Sequence, residues 1–345
     1  MIPWLKEFNF NPLPSSLVFS GNYNRTLFSQ KFREVNYLGV VSNNQIPIPE
    51  FRQSKFMFDW LLSISHNVSR SLVLSYNGSN SSLIPSFSKD LDASERNKME
   101  LFDNFFEVGE SNFFNQNFSA NYNLPISNFP FLDFIDANYS YNGNFNWQRG
   151  SDIQNNIVDE FGKKLGRVNT IQNSNNQSFN VNVNLDKLYR QIGFLNKNSI
   201  FDLLKSLKRI RSTYSENSGK VLPGYIPSIG FLGTLKPSFG FVFGDQKDVR
   251  YEIAKNGWLT EFSNFNQQYQ KIYNSKFDLS AEIELFKNLR IDLNANRTYS
   301  NNYSENYLIV DNEYNSLNGN FYGNFSISTN LSDHLTTKAH LKFNR

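Results

Sequence analysis

Residues 273–299 read YNSKFDLSAEIELFKNLRIDLNANRTY. From Tyr273 to Leu285 every second position is apolar or small (Tyr273, Phe277, Leu279, Ala281, Ile283, Leu285), with Ser275 the one exception. Between them stand Asn274, Lys276, Asp278, Ser280, Glu282 and Glu284. After Phe286-Lys287-Asn288 the same phase resumes, Leu289, Ile291, Leu293, Ala295 and Tyr299 alternating with Arg290, Asp292, Asn294, Asn296 and Thr298. A strand points successive side chains to opposite faces, so period two over this length spells a hairpin of two long strands, one face greasy and one wet.

The same grammar recurs outward from this hairpin. Leu17, Phe19 and Tyr23 alternate with Ser20, Asn22 and Asn24. Phe56, Phe58, Trp60, Leu62, Ile64 and Val68 form one face, continued by Leu72, Leu74 and Tyr76. Phe114, Phe118, Ala120, Tyr122 and Leu124 lead to Pro125; Ile135, Ala137, Tyr139, Tyr141, Phe145 and Trp147 return from Pro130. Phe179, Val181, Val183 and Leu185 follow, then Phe239, Phe241 and Phe243, and last Leu317, Phe321, Phe325 and Ile327. The expectation is roughly ten strands of about ten or more residues, the length at which a tilted strand crosses a bilayer.

Composition agrees with extended structure. Among 345 residues 16% are aromatic, with 34 Phe and 17 Tyr, and about 50 are Asn, yet mean hydropathy is −0.50. Disordered chains lack aromatics, helical membrane proteins need apolar runs of roughly 18 residues, and Asn, Ser, Phe and Tyr are poor helix formers. With no Cys, thiol chemistry and disulfides are excluded. A net charge of +3 without a dense basic stripe gives no case for nucleic acid. The start lacks a signal peptide and the end stops while Ala339, Leu341 and Phe343 still alternate, so the chain is expected to be a segment of a longer polypeptide.

A soluble sandwich, the competing reading, normally carries Lys and Glu on its wet face. Here that face is mostly Asn, Ser and Gln. Trp60, Tyr139, Tyr141, Trp147 and Tyr299 stand near expected strand ends, as interfacial girdles do. The fold expected is therefore all-β: a segment of a transmembrane antiparallel β-barrel spanning 1–345, with a few short helices in loops. Interruptions are expected at 83–111 (a helical or loop insertion), 214–236 (an irregular Gly/Pro loop) and 245–262 (a loop or short helix). LDKLYRQIGFL (185–195) has helical spacing, and FDLLKSLKRIR (201–211) reads as a third helix or a strand start.

Motifs for catalysis are missing. His66, His334 and His340 lack metal-ligand spacing. Asp90-x-Asp92-x-Ser94 opens like a calcium loop, but Glu95 takes the obligatory Gly place and Leu101 the bidentate Glu place. Ser86-x-x-Lys89 is a chance match in a Ser-rich stretch, and no phosphate loop is present. No catalytic residue, cofactor or metal is expected. The wet face could instead line water, since uncharged amides and hydroxyls hydrate well and offer no apolar foothold to a passing polypeptide. Ten strands alone close only a narrow, mostly filled tube; a conduit requires roughly sixteen.

Several long blocks resemble a known family: WLKEFNFNPLPSSLVFSGNYNRT (4–26), LPISNFPFLDFIDANYSYNGNFNWQRGS (124–151), LGRVNTIQNSNNQSFNVNVNL (165–185), YSENSGKVLPGYIPSIGFLG (214–233), KPSFGFVFGDQKDVRYEIAKNGWLT (236–260) and IELFKNLRIDLNANRTYSNNYSENY (283–307). They are similar to the later part of the SprA/Sov family, the outer-membrane translocon of the type IX secretion system, linked to gliding motility in Bacteroidetes-type bacteria. The resemblance implies a very large single-chain barrel that exports folded proteins bearing C-terminal sorting domains. It also implies a sideways opening where a PorV-type barrel or a plug protein docks, and energy from a separate inner-membrane motor. Implied partners are outer-membrane lipid, the remaining strands of the parent chain and secreted cargo. The competing functions are a surface adhesin or structural β-protein and a TonB-dependent receptor barrel fragment.

Three residue sets follow as expectations. Phe277, Leu279, Ile283, Leu285, Leu289, Ile291 and Leu293 face lipid. Asn274, Lys276, Asp278, Ser280, Glu282, Arg290, Asp292 and Asn294 face the lumen. Tyr214, Glu216, Asn217, Gly219, Leu222, Pro223 and Gly224, with Asn256, Gly257 and Trp258, belong to loops that shape the channel or a partner contact, because Gly and Pro break the alternation there.

Overall fold

The computed structural model describes residues 10–32, 51–84, 109–129, 131–160, 162–191, 205–286 and 289–335. Ten strands carry most of them: β1 Ser16–Gln30, β2 Phe51–Asn67, β3 Leu72–Ile84, β4 Glu110–Leu124, β5 Ile135–Gln148, β6 Asn169–Asn184, β7 Leu207–Tyr225, β8 Tyr269–Phe286, β9 Leu289–Val310 and β10 Glu313–Leu335. Each strand pairs antiparallel with its sequence neighbour, in the order β1 through β10. β1 and β10 are not paired to each other, so the described residues form an open meander. The all-β expectation holds. No helix among the described residues is long and apolar enough to cross a membrane, a statement that bears only on helices.

The strands are long because alternation is long. β7 to β10 have 19, 18, 22 and 23 residues. At ~3.4 Å per residue these reach about 60–78 Å, twice a bilayer's hydrocarbon core. One end of the sheet, the tight end, has the links 68–71, 125–134 and 287–288, and 185–206 with its helix α1, Leu185–Gln191. At the loop end the described connections are 149–160 with 162–168, the insert 226–268, and one two-residue turn. In that turn Asp311 (φ 51°) and Asn312 (φ 63°) are both left-handed, the geometry that matches strand twist in a tight hairpin.

Register assigns every side chain to a face. Directly opposed residues share one, and the row Leu72–Tyr122–Tyr139–Phe179–Tyr214–Phe277 runs unbroken from β3 to β8. On the same face toward the tight end lie Ala137, Val181, Ile210, Leu279, Ile283, Ile291 and Leu293, and Leu74 and Ile64 continue it toward the loop end. Among the described residues no second layer covers the middle of these rows: Phe179, Tyr214, Phe277 and Leu279 are all exposed. The buried core lies on the same face toward the loop end. There the insert 226–268 folds back over the sheet, joining Phe241, Val242, Ile253, Ala254 and Leu259 to Trp60, Phe114, Phe145, Trp147, Ile171 and Leu222.

Three expectations are corrected and one open alternative is decided. Residues 214–225 are not irregular: Tyr214, Glu216, Asn217, Gly219, Leu222, Pro223 and Gly224 lie in β7, and irregular backbone begins at Ile226. The alternation is hidden because this part of the face needs Ser218 and Lys220 under the insert, not apolar residues. Pro223 is tolerated since pairing with β8 ends at Val221 and a bulge opens opposite, at Asn169/Thr170. Phe239, Phe241 and Phe243 are not strand either; Phe239–Val242 is a one-turn helix, α2, whose Ser238 Oγ accepts from Phe241 N at 3.2 Å. The 201–211 segment resolves in favour of strand from Leu207. Trp60 and Trp147, 3% and 2% exposed, are core beneath the insert and not girdle residues.

Helix α1 bears out part of the 185–195 reading, and α3, Arg250–Lys255, answers the loop or short helix expected in 245–262. Residues 85–108 of the 83–111 insertion lie outside the described residues; Leu83, Ile84, Glu110 and Ser111 are strand. The calcium-like and Ser-Lys motifs also fall there.

Candidate functional site

The face opposite the core is an amide and hydroxyl wall. Along β5 it presents Asn138, Ser140, Asn142, Asn144 and Asn146, and their β6 partners are Asn180, Ser178, Asn176, Ser174 and Gln172. β7 follows with Thr213, Ser215 and Asn217. On β8 and β9 the pairs are Asn274–Ser300, Lys276–Thr298, Asp278–Asn296, Ser280–Asn294, Glu282–Asp292 and Glu284–Arg290. All eight residues expected on the wet face therefore share it. Neighbouring amides bond to one another, Asn117 Nδ2 to Asn142 Oδ1 at 2.7 Å and Asn138 Nδ2 to Asn123 Oδ1 at 2.7 Å. Charges collect toward the tight end, where Arg290 pairs with Asp292 at 3.1 Å and Glu282 at 3.4 Å.

Of the residues expected to face lipid, Phe277, Leu279 and Ile283 sit on the greasy face of β8, and Ile291 and Leu293 oppose Ile283 and Ala281. Leu289 pairs with Phe286 after a register shift at Glu284, and Leu285 is exposed beside that shift. From Tyr273 to Leu285 the strand runs about 41 Å at ~3.4 Å per residue; at a tilt of ~40° that is about 31 Å of height, a bilayer core's thickness.

The insert is held on the greasy face by side chains of the sheet that donate to its backbone carbonyls. Asn169 Nδ2 reaches Ile226 O and Pro227 O at 3.1 and 3.2 Å, and Trp147 Nε1 reaches Pro227 O at 3.1 Å. Asn173 Nδ2 donates to Phe241 O (3.1 Å) and Asp245 O (2.7 Å), and Asn175 Nδ2 to Gly244 O at 2.8 Å. Gln116 Nε2 meets Val242 O at 2.8 Å and Tyr141 Oη meets Phe243 O at 2.6 Å. Irregular backbone pressed onto a sheet must find partners, and these amides supply them. The backbones touch at Gly143 and Gly244, where a Cβ on Gly143 would stand 2.2 Å from Phe243 O.

An ionic anchor fixes the other edge of the insert. Arg250 binds Asp248 at 2.7 Å and closes onto Glu305, which is 1% exposed. Glu305 also accepts from Tyr314 Oη at 2.7 Å, Tyr303 Oη at 2.8 Å and Ser316 Oγ. The guanidinium lies over Tyr269, 4.4 Å from the ring centre. Burial pushes the Asp248 carboxyl up, but the Arg250 side chain and N–H outweigh it and hold it below its usual value. Lys220, on β7 beyond the apolar rows, donates to Gln246 O and Lys247 O; burial lowers its pKa to about 8.

Asn256, Gly257 and Trp258 follow α3 in this insert, and Trp258 packs against the core cluster beneath Lys236, 5.0 Å above its ring. They do not meet Tyr214, Glu216 and Asn217, which lie farther down β7. The docking residues Gln116, Asn169, Asn173 and Asn175 were missed by the sequence reading. The available signal was Asn on the greasy side of β6, where Phe179, Val181 and Val183 set the phase. No cluster able to hold a metal ion occurs among the described residues. In comparisons with known proteins, no family model and no curated protein matches the chain.

Proposed function

We propose that this chain forms part of the wall of a large outer-membrane β-barrel that conducts proteins to the cell surface, as its resemblance to the SprA/Sov translocons implies. The observation that carries the reading is the two-sidedness of the sheet. One face is mostly Asn and Ser, with paired charges toward the tight end of β8 and β9, while the other bears an apolar band left exposed among the described residues, as tall as a bilayer core, topped by aromatic residues and then by a docked insert. Exposed apolar patches on soluble monomers reach only a few hundred Å2. A sandwich would set a second sheet about 10 Å from that band. Lipid tails cover it instead, and the amide face lines water through which cargo passes without strong selection by charge. The tight end faces the periplasm and the loop end the exterior, the arrangement usual for such barrels. The free edges of β1 and β10 pair with further strands of the same wall, because an exposed edge of this length otherwise aggregates.

The chain has no Cys, so single cysteines report cleanly. In intact outer membranes, Asn176→Cys and Asn294→Cys should react with a charged, water-borne maleimide, and Leu279→Cys and Leu293→Cys only with a bilayer-dissolved probe. The reverse pattern would discard the assignment of faces. Cargo secretion tests the transport role: a bulky adduct at Asn176→Cys should reduce export severalfold, while the same adduct at Leu279→Cys should not.

A further inference from the structure

At the loop end of the apolar rows, β7 to β10 and the insert line an open cavity of about 530 Å3 whose walls include Lys220, Lys271, Arg250, Asp248, Tyr303 and Phe321. Three cations thus stand against one carboxylate, and that carboxylate is taken by Arg250 at 2.7 Å. Glu305, behind Arg250, is saturated by its own donors, and Glu216, lower on β7, accepts from Tyr214 Oη at 3.1 Å. Lys220 and Lys271 are direct cross-strand partners on one face. Like charges so placed repel. Lys220 is committed to two carbonyls, whereas exposed Lys271 has no hydrogen-bond or ion-pair partner among the described residues.

Height selects the ligand. Lys271 lies one row above Tyr273, whose ring meets Tyr299 edge-on at 6.0 Å, and below them run Phe277, Leu279 and Ile283. One row is about 7 Å along the strand, which sets the ammonium at headgroup level above the hydrocarbon. We propose that this pocket binds the phosphate of a phosphorylated glycolipid in the outer leaflet, with its acyl chains laid along Phe277, Leu279 and Ile283. The assignment rests on the greasy face meeting lipid. Phosphate oxygens accept from Lys271 and Lys220 and neutralise the opposed pair, and Tyr303 and Phe321 wall the sugar.

The test uses the intact chain in mild detergent, with bound lipid counted by native mass spectrometry. The probes are bisphosphorylated lipid A, the same lipid with its phosphates removed, and inorganic phosphate. Lipid A should be retained and the dephosphorylated form lost. Lys271→Gln should lower retention roughly fivefold, the worth of one lysine at a charged membrane surface. Lys276→Gln, an equal charge change on the opposite face, should leave retention unaltered. Equal retention of both lipids, no effect of Lys271→Gln, or full displacement by inorganic phosphate alone would overturn the proposal, the last marking a site for soluble anions. If Leu279→Cys escapes bilayer-dissolved probes, the lipid-facing reading itself falls. If it is labelled while lipid A fails to bind, only the pocket's assignment does.

Discussion

Gly143 shows how one residue decides whether two layers meet. It sits mid-strand in β5, where glycine weakens a sheet, yet its missing Cβ lets Phe243 O approach. Gly143→Ala should destabilise the docked insert by about 1–3 kcal/mol, the usual penalty for overpacking, and open it to limited proteolysis while strand content is unchanged. Arg250→Met is the stronger test of the anchor. It leaves buried Glu305 with hydroxyl donors only, a loss of about 3–5 kcal/mol, read as a lower protease-resistance midpoint of the insert. Lys220 makes docking depend on pH. Its docked pKa, about 8, is below the ordinary 10.5, so the undocked state binds more protons between those values and docking strengthens as pH rises from 8 toward 10. The gain is on the order of 1–3 kcal/mol, and Lys220→Met should abolish the slope. Protection that falls over this window would contradict the burial argument.

Among elements, the insert and the strands beneath it depend on each other unequally. β7 and β8 pair from Leu207↔Ile283 up to Val221↔Gln270, so most of their ladder lies outside the insert's footprint. Replacing 226–268 with a two-residue Asn-Gly turn should therefore leave a folded, membrane-inserted sheet. It should also expose Trp60 and Trp147, which the insert buries, and shift their fluorescence to the red. A sheet that no longer inserted would show that the insert is part of the folding core and not a layer added to it. The β9–β10 hairpin pairs locally through its Asp311-Asn312 turn, although its loop end, with Glu305, Tyr307 and Tyr314, is also buried in the core that the insert completes.

For the whole molecule, the distinction between faces matters more than any one site. Across β4 to β7 the wet face is a wall of mostly uncharged amides and hydroxyls, which presents hydrogen-bonding groups throughout without an apolar anchor. Replacing a patch of it with aromatic residues (Asn142→Phe with Asn176→Phe) should create an apolar foothold and slow cargo passage severalfold with assembly intact. Unchanged export from a correctly assembled barrel would argue against a lumenal position for that face.

Alternation alone was enough to locate nine of the ten strands and both faces of the 273–299 hairpin, because side-chain direction in a strand follows residue parity without reference to distant contacts. β7 escaped, and the Phe239–Phe243 run misled, for one shared reason. Both lie where the insert meets the sheet, and there the face demands Lys220, Asn173 and Asn175 to satisfy another segment's carbonyls instead of apolar groups. Which greasy residues become core and which stay bare depends on where 226–268 folds back. That choice rests on contacts between residues far apart in the chain, such as Gln116 with Val242 and Trp60 with Phe231, and no local period encodes them.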